Sequence, residues 1–370
     1  MIRKIFLSIS AIILLCIIFL TLINFWPHSK SQDSHFDNVI VFGDSLSDSS
    51  PMGIGSSQVG NNYWTSIAGI TNRKGAPITS RVGPHDLRRL TWLNYLVSSI
   101  SFNKGHHFLA VKRALSYLNP YYENVSYAVA SAETGNNYID DLKPSPWPVV
   151  HPGLCQGISD PGKYSCVPGL LKQVHMYLED VKSKPNPKTL FILWAGGNDF
   201  YQNIVKLMTE SKDDLSQPIS NTVKAVKLLL KEGVPANNIY VLNLPNFSMV
   251  PAITTLVGDK IKEAWKQSMA LQTISLVSKA YNLWLKAALT LQTYGEFSPA
   301  HVFPVDSLFL NVYENKDNLH QKLGITTPVA ITCVSAKKLP FCKGVLFYND
   351  MHPTSQIHQY LAEQLGQYIE

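Results

Sequence analysis

A serine and a histidine near the two ends of the chain have neighbours that suit nucleophilic catalysis. Ser45 follows the apolar run Val39–Phe42 and then Gly43, which permits a tight turn. His352 follows an acidic residue, Asp350, whose carboxylate can accept the Nδ1 proton of the ring. A serine becomes a nucleophile when a turn presents it and a base removes its proton. The two segments therefore predict one active site, in which His352 activates Ser45.

A third segment could bind the negative charge that develops on a carbonyl oxygen under attack. Asn198 belongs to the sequence Gly-Gly-Asn-Asp at 196–199, directly after the apolar run Thr189–Trp194. Its side-chain amide can donate to an oxyanion, and we expect Asp199 to cap the helix that follows. An ordinary helix N-cap explains Asn or Asp at this place as well. The small residues at 126–135 suit close approach of a ligand to the backbone, and they suit tight helix–sheet packing equally.

Short apolar runs alternate with helical patterns along the chain, and these elements must position the three segments. The runs end at Gly, Pro, Asn or Asp, which is typical of fully buried parallel strands; they are Val39–Phe42, Thr189–Trp194, Ile239–Leu244 and His301–Val305. Helices are predicted between them, including Ile219–Lys231 and one after Thr354. The alternation predicts an α/β fold with a doubly wound sheet, in which sites form at the carboxyl ends of strands.

The longest helical pattern runs from Asp259 to Thr293 and stops at Gly295. Its apolar residues recur every three to five positions, which indicates an amphipathic helix; they are Ile261, Trp265, Met269, Ile274, Val277, Tyr281, Trp284 and Ala288. Two stretches fit the alternation poorly. We expect Gly55–Asn124 and Pro144–Pro168 to be loop-rich insertions near the mouth of the site.

The N-terminal segment is long and apolar enough to enter a membrane. Residues 5–26 carry no charge and as a helix would be about 33 Å long, which spans a bilayer core. Arg3 and Lys4 precede them, so the positive-inside rule directs the remainder out of the cytoplasm. We favour an uncleaved anchor over a cleaved signal peptide, because no small-x-small site follows. The domain would then face the periplasm or the outside; cleavage would make it a secreted protein.

The predicted organisation is therefore a signal-anchor or signal peptide at 1–26, a polar linker at 27–37 and one domain at 38–370. Its composition, 45% hydrophobic and 16% charged residues, suits a large folded core. The formal charge is +6, but the basic residues form no dense run and no aromatic-interleaved motif. Nucleic-acid binding is therefore not expected.

Four of the five cysteines form two local pairs in the sequence. Cys155 and Cys166 bracket a Gly-, Pro- and Ser-rich loop, and Cys333 and Cys342 bracket a second short segment. Two local disulfides are the simplest pairing in an oxidising compartment. The alternative is four free thiols in a cytosolic protein. The spacings are not those of a zinc site.

These motifs resemble those of the GDSL, or SGNH, hydrolase family. Phe-Gly-Asp-Ser-Leu-Ser-Asp at 42–48 is similar to its first block, the stretch from Tyr127 to its second, Gly-Gly-Asn-Asp at 196–199 to its third and Asp-Met-His-Pro-Thr at 350–354 to its last. The resemblance covers about 38–370 and is strongest for bacterial secreted phospholipases, lysophospholipases and glycerophospholipid:cholesterol acyltransferases. It implies a flavodoxin-like three-layer α/β/α domain with a mainly parallel sheet, and no metal or organic cofactor.

The resemblance also implies a role for individual residues. Ser45 would be the nucleophile and would lend its backbone N–H to the oxyanion hole, His352 would be the general base, and Asn198 would donate its side-chain amide. The family's second block carries a glycine whose N–H completes the hole. The matching position here holds Ala130 or Ser131, and we favour Ser131. Because the donor is a backbone group, a small residue other than glycine can still serve.

The acid is the second departure from the family pattern. It usually lies three residues before the histidine, where this chain has Asn349. An asparagine can hold an imidazole but cannot offset its positive charge, so we expect Asp350 to take this role through a slightly different turn.

The implied reaction is acyl transfer from a lipid ester through an acyl-enzyme. Water releases the acyl group, or an alcohol such as a sterol does so if it binds and water is excluded. The membrane segment at 5–26 and the aromatic residues at 62–64 and 120–122 are compatible with a lipid substrate. A carbohydrate acetyl esterase and a non-catalytic, membrane-anchored binding module remain as alternatives.

Overall fold

A computed structural model describes residues 36–48, 91–99, 112–113, 124–129, 132–135, 168–209, 215–337 and 342–369. Within these residues, six strands form one sheet in which every neighbouring pair is parallel: β1 (Asn38–Gly43), β2 (Lys112–Arg113), β3 (Val125–Ser126), β4 (Thr189–Trp194), β5 (Ile239–Leu242) and β6 (Val302–Phe303). The spatial order is β2-β3-β1-β4-β5-β6. Without the short edge strand β2, this is the order of a flavodoxin-like sheet.

Strands β1 and β4 form the centre of the sheet. They pair in register over their whole length, from Asn38 with Thr189 to Gly43 with Trp194. Both strands are fully buried, which explains why their sequences are continuously apolar. The chain reverses its direction of winding between these two strands, and α/β folds bind ligands at the carboxyl ends of strands at such a point. Ser45 and Asn198 follow β1 and β4 directly.

Nine α-helices are described, and they are distributed over both faces of the sheet: α1 (Trp92–Ser99), α2 (Leu170–Asp180), α3 (Gly197–Thr209), α4 (Ser216–Lys231), α5 (Pro251–Lys260), α6 (Ala264–Gln292), α7 (Val305–Tyr313), α8 (Leu319–Lys322) and α9 (Ser355–Ile369). Helices α2 to α6 pack on the face that carries Ile40 and Phe42. Helices α1, α7, α8 and α9 pack on the face that carries Val39 and Val41. The predicted three-layer α/β/α fold is confirmed.

One local expectation is wrong. The helical pattern from Asp259 to Thr293 is divided, because α5 ends at Lys260 and α6 begins only at Ala264. Its apolar residues also do not share one face: Ile274, Tyr281 and Ala288 are buried, whereas Trp265, Met269 and Trp284 are exposed. Helix α1 and strand β2 lie within the stretch from Gly55 to Asn124 that we expect to be loop-rich, and most of that stretch lies outside the described residues.

The described residues include one of the two predicted disulfides and none of the predicted membrane segment. Cys333 and Cys342 form the predicted disulfide. The predicted pair of Cys155 and Cys166 and the N-terminal residues 1–26 lie outside the described residues. Among the helices that the structure describes, none combines the length and the apolar character that crossing a membrane requires.

Candidate active site

The turn after β1 presents Ser45. Gly43 ends the strand so close to β4 that a Cβ atom at this position would lie 2.2 Å from the carbonyl oxygen of Trp194, which only glycine avoids. The side chain of Asp44 then accepts the backbone N–H of Leu46 at 3.0 Å, and its carbonyl accepts the backbone N–H of Ser47 at 3.1 Å. These bonds form a compact turn that fixes the backbone of Ser45.

The hydroxyl of Ser45 lies 2.9 Å from Nε2 of His352, although the two residues are 307 positions apart in the sequence. Both side chains are buried. His352 lies in the segment between β6 and α9, where the carbonyl of His352 accepts the backbone N–H of Tyr348 at 2.8 Å. The two residues that the sequence suggested as nucleophile and base are therefore in hydrogen-bond contact.

Asn349, and not Asp350, faces the other nitrogen of the ring. Asn349 Oδ1 lies 2.9 Å from Nδ1 of His352. The same oxygen accepts the backbone N–H groups of Met351 and His352 at 2.9 and 2.8 Å, which identifies it as the oxygen of the amide. The Asp350 side chain is exposed. The expectation that Asp350 orients the histidine is thus corrected. The side chain of Asn349 closes an Asx turn by accepting the backbone N–H groups that follow it, and this turn places Asn349 against Nδ1 of His352.

The contact with Asn349 determines the tautomer of His352. An amide oxygen can only accept a hydrogen bond, so Nδ1 carries the ring proton and Nε2 is left to accept one from Ser45. Burial, with a smaller contribution from the nearby ring of His358, lowers the pKa of His352 to about 3. The ring is therefore neutral at ordinary pH, which is the form that a general base requires.

Asn198 lies in the first turn of α3, at the carboxyl end of β4. The preceding Gly196 has a φ of +106°, and a Cβ there would lie 2.9 Å from the hydroxyl of Tyr281. One N–H of the Asn198 amide bonds the carbonyl of Ala132 at 2.8 Å. The amide nitrogen carries two N–H groups, so this bond orients the side chain and leaves a second N–H to donate. Ser131 and Ala130, the candidates for a further donor, lie outside the described residues.

Asp199 lies in the first turn of α3 and joins the segments that follow β3 and β4. Its carboxylate accepts from the backbone N–H of Thr134 at 3.0 Å and from the hydroxyl of Thr134 at 2.8 Å. Burial and the nearby Glu133 raise the pKa of Asp199 to about 7. Burial also raises the pKa of Asp44, the residue before the nucleophile, to about 7. Burial thus favours the neutral form of both carboxyls, which would limit the negative charge near Ser45.

Gln173 is a part of the site that the sequence did not reveal. From α2, its Oε1 accepts the backbone N–H of Gly43 and its Nε2 donates to the carbonyl of Gly43, both at 2.8 Å. Nε2 also donates to the carbonyl of Pro168 at 2.8 Å. One buried side chain thereby fixes the peptide groups on both sides of Gly43. A polar residue on the buried face of a helical pattern was the only signal in the sequence.

A mostly apolar groove lies beside the segments that carry Ser45 and His352. Its empty volume of about 430 Å³ includes open solvent, and the space that the centre of a water-sized sphere can reach is about 30 Å³. Leu46, next to Ser45, lines it together with Met351 and Pro353, which flank His352. Met249 and Phe309 line it from the other side. In the part of the chain that the structure describes, no group of three or more His, Cys, Asp or Glu side chains is placed to bind a metal ion.

A nucleophile turn at the switch point of a parallel sheet, with a histidine held against it, defines a serine hydrolase. A family model described as GDSL-like Lipase/Acylhydrolase matches residues 39–365, and the chain belongs to this family. Family membership makes it a serine hydrolase of ester substrates. No curated protein matches the chain significantly.

Proposed function

We propose that the protein hydrolyses lipid esters, with phospholipids and lysophospholipids as the substrate class. The apolar groove is the observation that carries this proposal, because its walls include the sequence neighbours of both Ser45 and His352. An acyl chain in this groove would have its ester carbonyl close to the nucleophile. Each buried CH₂ group would contribute about 0.8 kcal/mol to binding.

The proposed mechanism uses Ser45 and His352 in turn. Nε2 of His352 takes the hydroxyl proton while Ser45 attacks the ester carbonyl, and the imidazolium then gives this proton to the leaving alcohol. Asn349 keeps the ring oriented throughout. The backbone N–H groups of Ser45 and Ser131 and the side chain of Asn198 are proposed to stabilise the oxyanion. Water, activated by His352, then hydrolyses the acyl-enzyme.

An alcohol acceptor would make the protein an acyltransferase. A sterol that excludes water from the groove would take the acyl group from Ser45 by the same chemistry. We further propose that the domain acts outside the cytoplasm, attached through residues 5–26 or secreted. The disulfide between Cys333 and Cys342 supports this location, because structural disulfides persist in oxidising compartments.

Chain-length preference tests the lipid proposal. The purified full chain is assayed with p-nitrophenyl esters from acetate to octanoate and with lysophosphatidylcholine. We expect kcat/KM to rise with chain length and lysophosphatidylcholine to be hydrolysed. Activity on acetate alone would contradict the proposal and favour a carbohydrate acetyl esterase. Products from phospholipid vesicles with and without cholesterol separate hydrolysis from transfer.

A groove-filling variant links this preference to the structure. Met249→Trp places a larger side chain in the groove, so we expect kcat/KM to fall for octanoate and to change little for acetate. Ile331→Trp is the control, because Ile331 is exposed and does not line the groove. Labelling with a fluorophosphonate tests the nucleophile. A Ser45→Ala protein that is labelled as well as the wild type would remove Ser45 from the mechanism and reopen a non-catalytic role.

A further inference from the structure

The long helix α6 exposes an apolar stripe that none of the residues described by the structure covers. Its members are Trp265 (62% exposed), Met269 (58%), Leu276 (57%), Trp284 (46%) and Leu291 (53%). At 100° per residue these positions fall within an arc of about 100°, so they share one side of the helix. We name these five residues the outer stripe of α6.

The outer stripe is not needed to hold α6 in the fold. The opposite side of the helix packs on the core through Ile274, Tyr281, Leu285 and Leu289. Five large apolar side chains on one surface exceed the scattered exposure that is normal for a folded domain. This concentration of exposed apolar side chains on one side of the helix indicates that a partner of low polarity covers it.

Positive charge surrounds the outer stripe. Between residues 259 and 292 the chain has five lysines and two acidic residues. By helical geometry, Lys266 and Lys279 border the stripe on its two sides. Lys266 lies over the ring of Trp265 at 5.5 Å and also forms an exposed ion pair with Glu263 at 2.7 Å. Helix α6 itself contains three lysines and no acidic residue. Two tryptophans and flanking lysines are the composition of a surface that enters the interface of an anionic bilayer.

The inner side of α6 connects this surface to the groove. Ser275 Oγ accepts from the side-chain amide of Asn246 at 2.8 Å, and Ser278 Oγ accepts the backbone N–H of Phe247 at 3.2 Å. Asn246 lines the apolar groove beside the active site. One helix therefore offers an apolar surface on its outside and supports a groove wall on its inside.

We propose that the outer stripe of α6 docks the domain on anionic phospholipid bilayers. The Trp, Met and Leu side chains enter the boundary of headgroups and acyl chains, and the lysines contact anionic headgroups. The inference extends the proposed lipid esterase activity by giving it a surface on which to work. Docking itself depends only on the stripe, so it can be tested in a variant that lacks the Ser45 hydroxyl.

The test uses tryptophan quenching in the full chain carrying Ser45→Ala. The protein is mixed with vesicles of equal parts phosphatidylcholine and brominated phosphatidylglycerol, at saturating lipid, so that binding contributed by residues 5–26 is complete in every variant. Trp265→Gln with Trp284→Gln should remove the part of the quenching that the stripe contributes. Of the other five tryptophans, Trp92 and Trp194 are buried, and Trp26, Trp64 and Trp147 are the same in every protein compared. Unchanged quenching in this variant would overturn the proposal.

A second variant keeps both tryptophans and weakens only the docking. Met269→Gln with Leu276→Gln should lower the quenched intensity roughly twofold or more, because two apolar side chains no longer enter the lipid. Ile331→Gln with Val334→Gln is the matched control, with two exposed apolar residues elsewhere (39% and 46% exposed), and should quench like the parent protein. Circular dichroism verifies that each variant is folded.

Two further outcomes decide between occupants of the stripe. Weaker quenching by brominated phosphatidylcholine alone, and by mixed vesicles at high salt, would support docking on anionic lipid. A second copy of the chain on the stripe would give a dimer in light scattering that Met269→Gln with Leu276→Gln dissociates while leaving the quenching unchanged. That result would overturn the proposal. The proposed esterase activity is unaffected by either outcome, because chain-length preference measures it separately.

Discussion

Asn349 Oδ1 lies 2.9 Å from Nδ1 of His352, where a serine hydrolase normally has a carboxylate. The amide performs one of the two tasks of that carboxylate. It holds the ring in the tautomer that can accept the proton of Ser45, but it carries no charge to stabilise the imidazolium. A site of this kind is expected to be oriented for catalysis and to be slower than one with a complete triad.

Asn349→Asp should therefore accelerate the enzyme. A carboxylate against Nδ1 stabilises the imidazolium by about 1–3 kcal/mol, so we expect kcat/KM to rise roughly tenfold to a hundredfold. The negative charge of the introduced carboxylate also determines the direction in which the pH dependence of activity shifts. In the wild type the pKa of His352 is lowered to about 3, so activity should persist well below pH 6.5; in the variant the pKa rises and the acid limb moves to higher pH.

The controls for this prediction are Asn349→Ala and Asp350→Ala, assayed as kcat/KM against pH with p-nitrophenyl butyrate. Asn349→Ala should lose activity because the ring loses its orienting bond. Asp350→Ala should behave like the wild type, because the Asp350 side chain is exposed. A large loss in Asp350→Ala alone would show that the observed turn is not the one that operates in catalysis.

His358→Leu should stabilise the protein. His358 is buried in α9, and neither ring nitrogen has a hydrogen-bond partner in the described structure. Burial lowers its pKa to about 4, against about 6.5 when unfolded. Between these pH values the unfolded state binds more protons, so the free energy of unfolding falls as pH falls from about 6.5 to about 4.

A leucine removes both the unsatisfied nitrogens and this titration. We expect a gain of about 1–2 kcal/mol at neutral pH and a flatter dependence of stability on pH below about 6.5. Urea unfolding at several pH values measures both effects. His175→Leu, a change at an exposed histidine, is the control. Parallel pH curves for His358→Leu and the wild type would contradict the prediction.

Gln173→Leu should impair the nucleophile turn. The change leaves the buried N–H of Gly43 without its partner and removes a second bond to the carbonyl of Gly43. We expect a loss of about 2–3 kcal/mol in stability and a lower kcat with little change in KM, because the turn that carries Ser45 is displaced while the groove is intact. Gln359→Leu, a change at an exposed glutamine, should alter neither stability nor kcat. A change in KM alone for Gln173→Leu would argue against a positioning role for Gln173.

Removal of the disulfide should weaken the segment that carries the base. Cys333 and Val334 donate their backbone N–H groups to the carbonyls of Phe347 and Tyr348, immediately before Asn349. Replacing Cys333 and Cys342 by Ala should lower the free energy of unfolding by about 2–3 kcal/mol, with a fall in kcat. Unfolding curves under oxidising conditions measure this loss, and an unchanged midpoint would refute it. Peptide mapping of the non-reduced protein tests the predicted pair of Cys155 and Cys166.

The parts of the fold that the sequence predicted are those governed by burial. Continuous apolar runs such as Thr189–Trp194 are typical of strands covered on both faces, and Ser45 and Asn198 follow the central pair of strands. The orientation of helix α6 was harder to predict from the sequence, because apolar residues occur on most sides of the helix. Trp265 and Ile274 both fit the helical spacing, and only the tertiary structure decides which of them faces the core.

The choice between Asn349 and Asp350 shows a different limit. Charge alone favours Asp350 as the partner of the imidazole. The backbone decides otherwise, since the residue three positions before His352 can accept two backbone N–H groups and the ring at once. Asparagine before a tight turn was the signal available in the sequence, and it indicates turn geometry more directly than it indicates catalysis.

The 307 positions that separate Ser45 from His352 also bear on when the site can form. The turn that carries Ser45 is synthesised long before the segment that carries His352. Helix α9, which follows that segment, packs against α1, where Tyr95 and Ser355 join their hydroxyls at 3.1 Å. A nascent chain is therefore expected to be inert towards esters until residue 352 has been made, and a chain cut before residue 352 is expected to stay inert even where its sheet has formed.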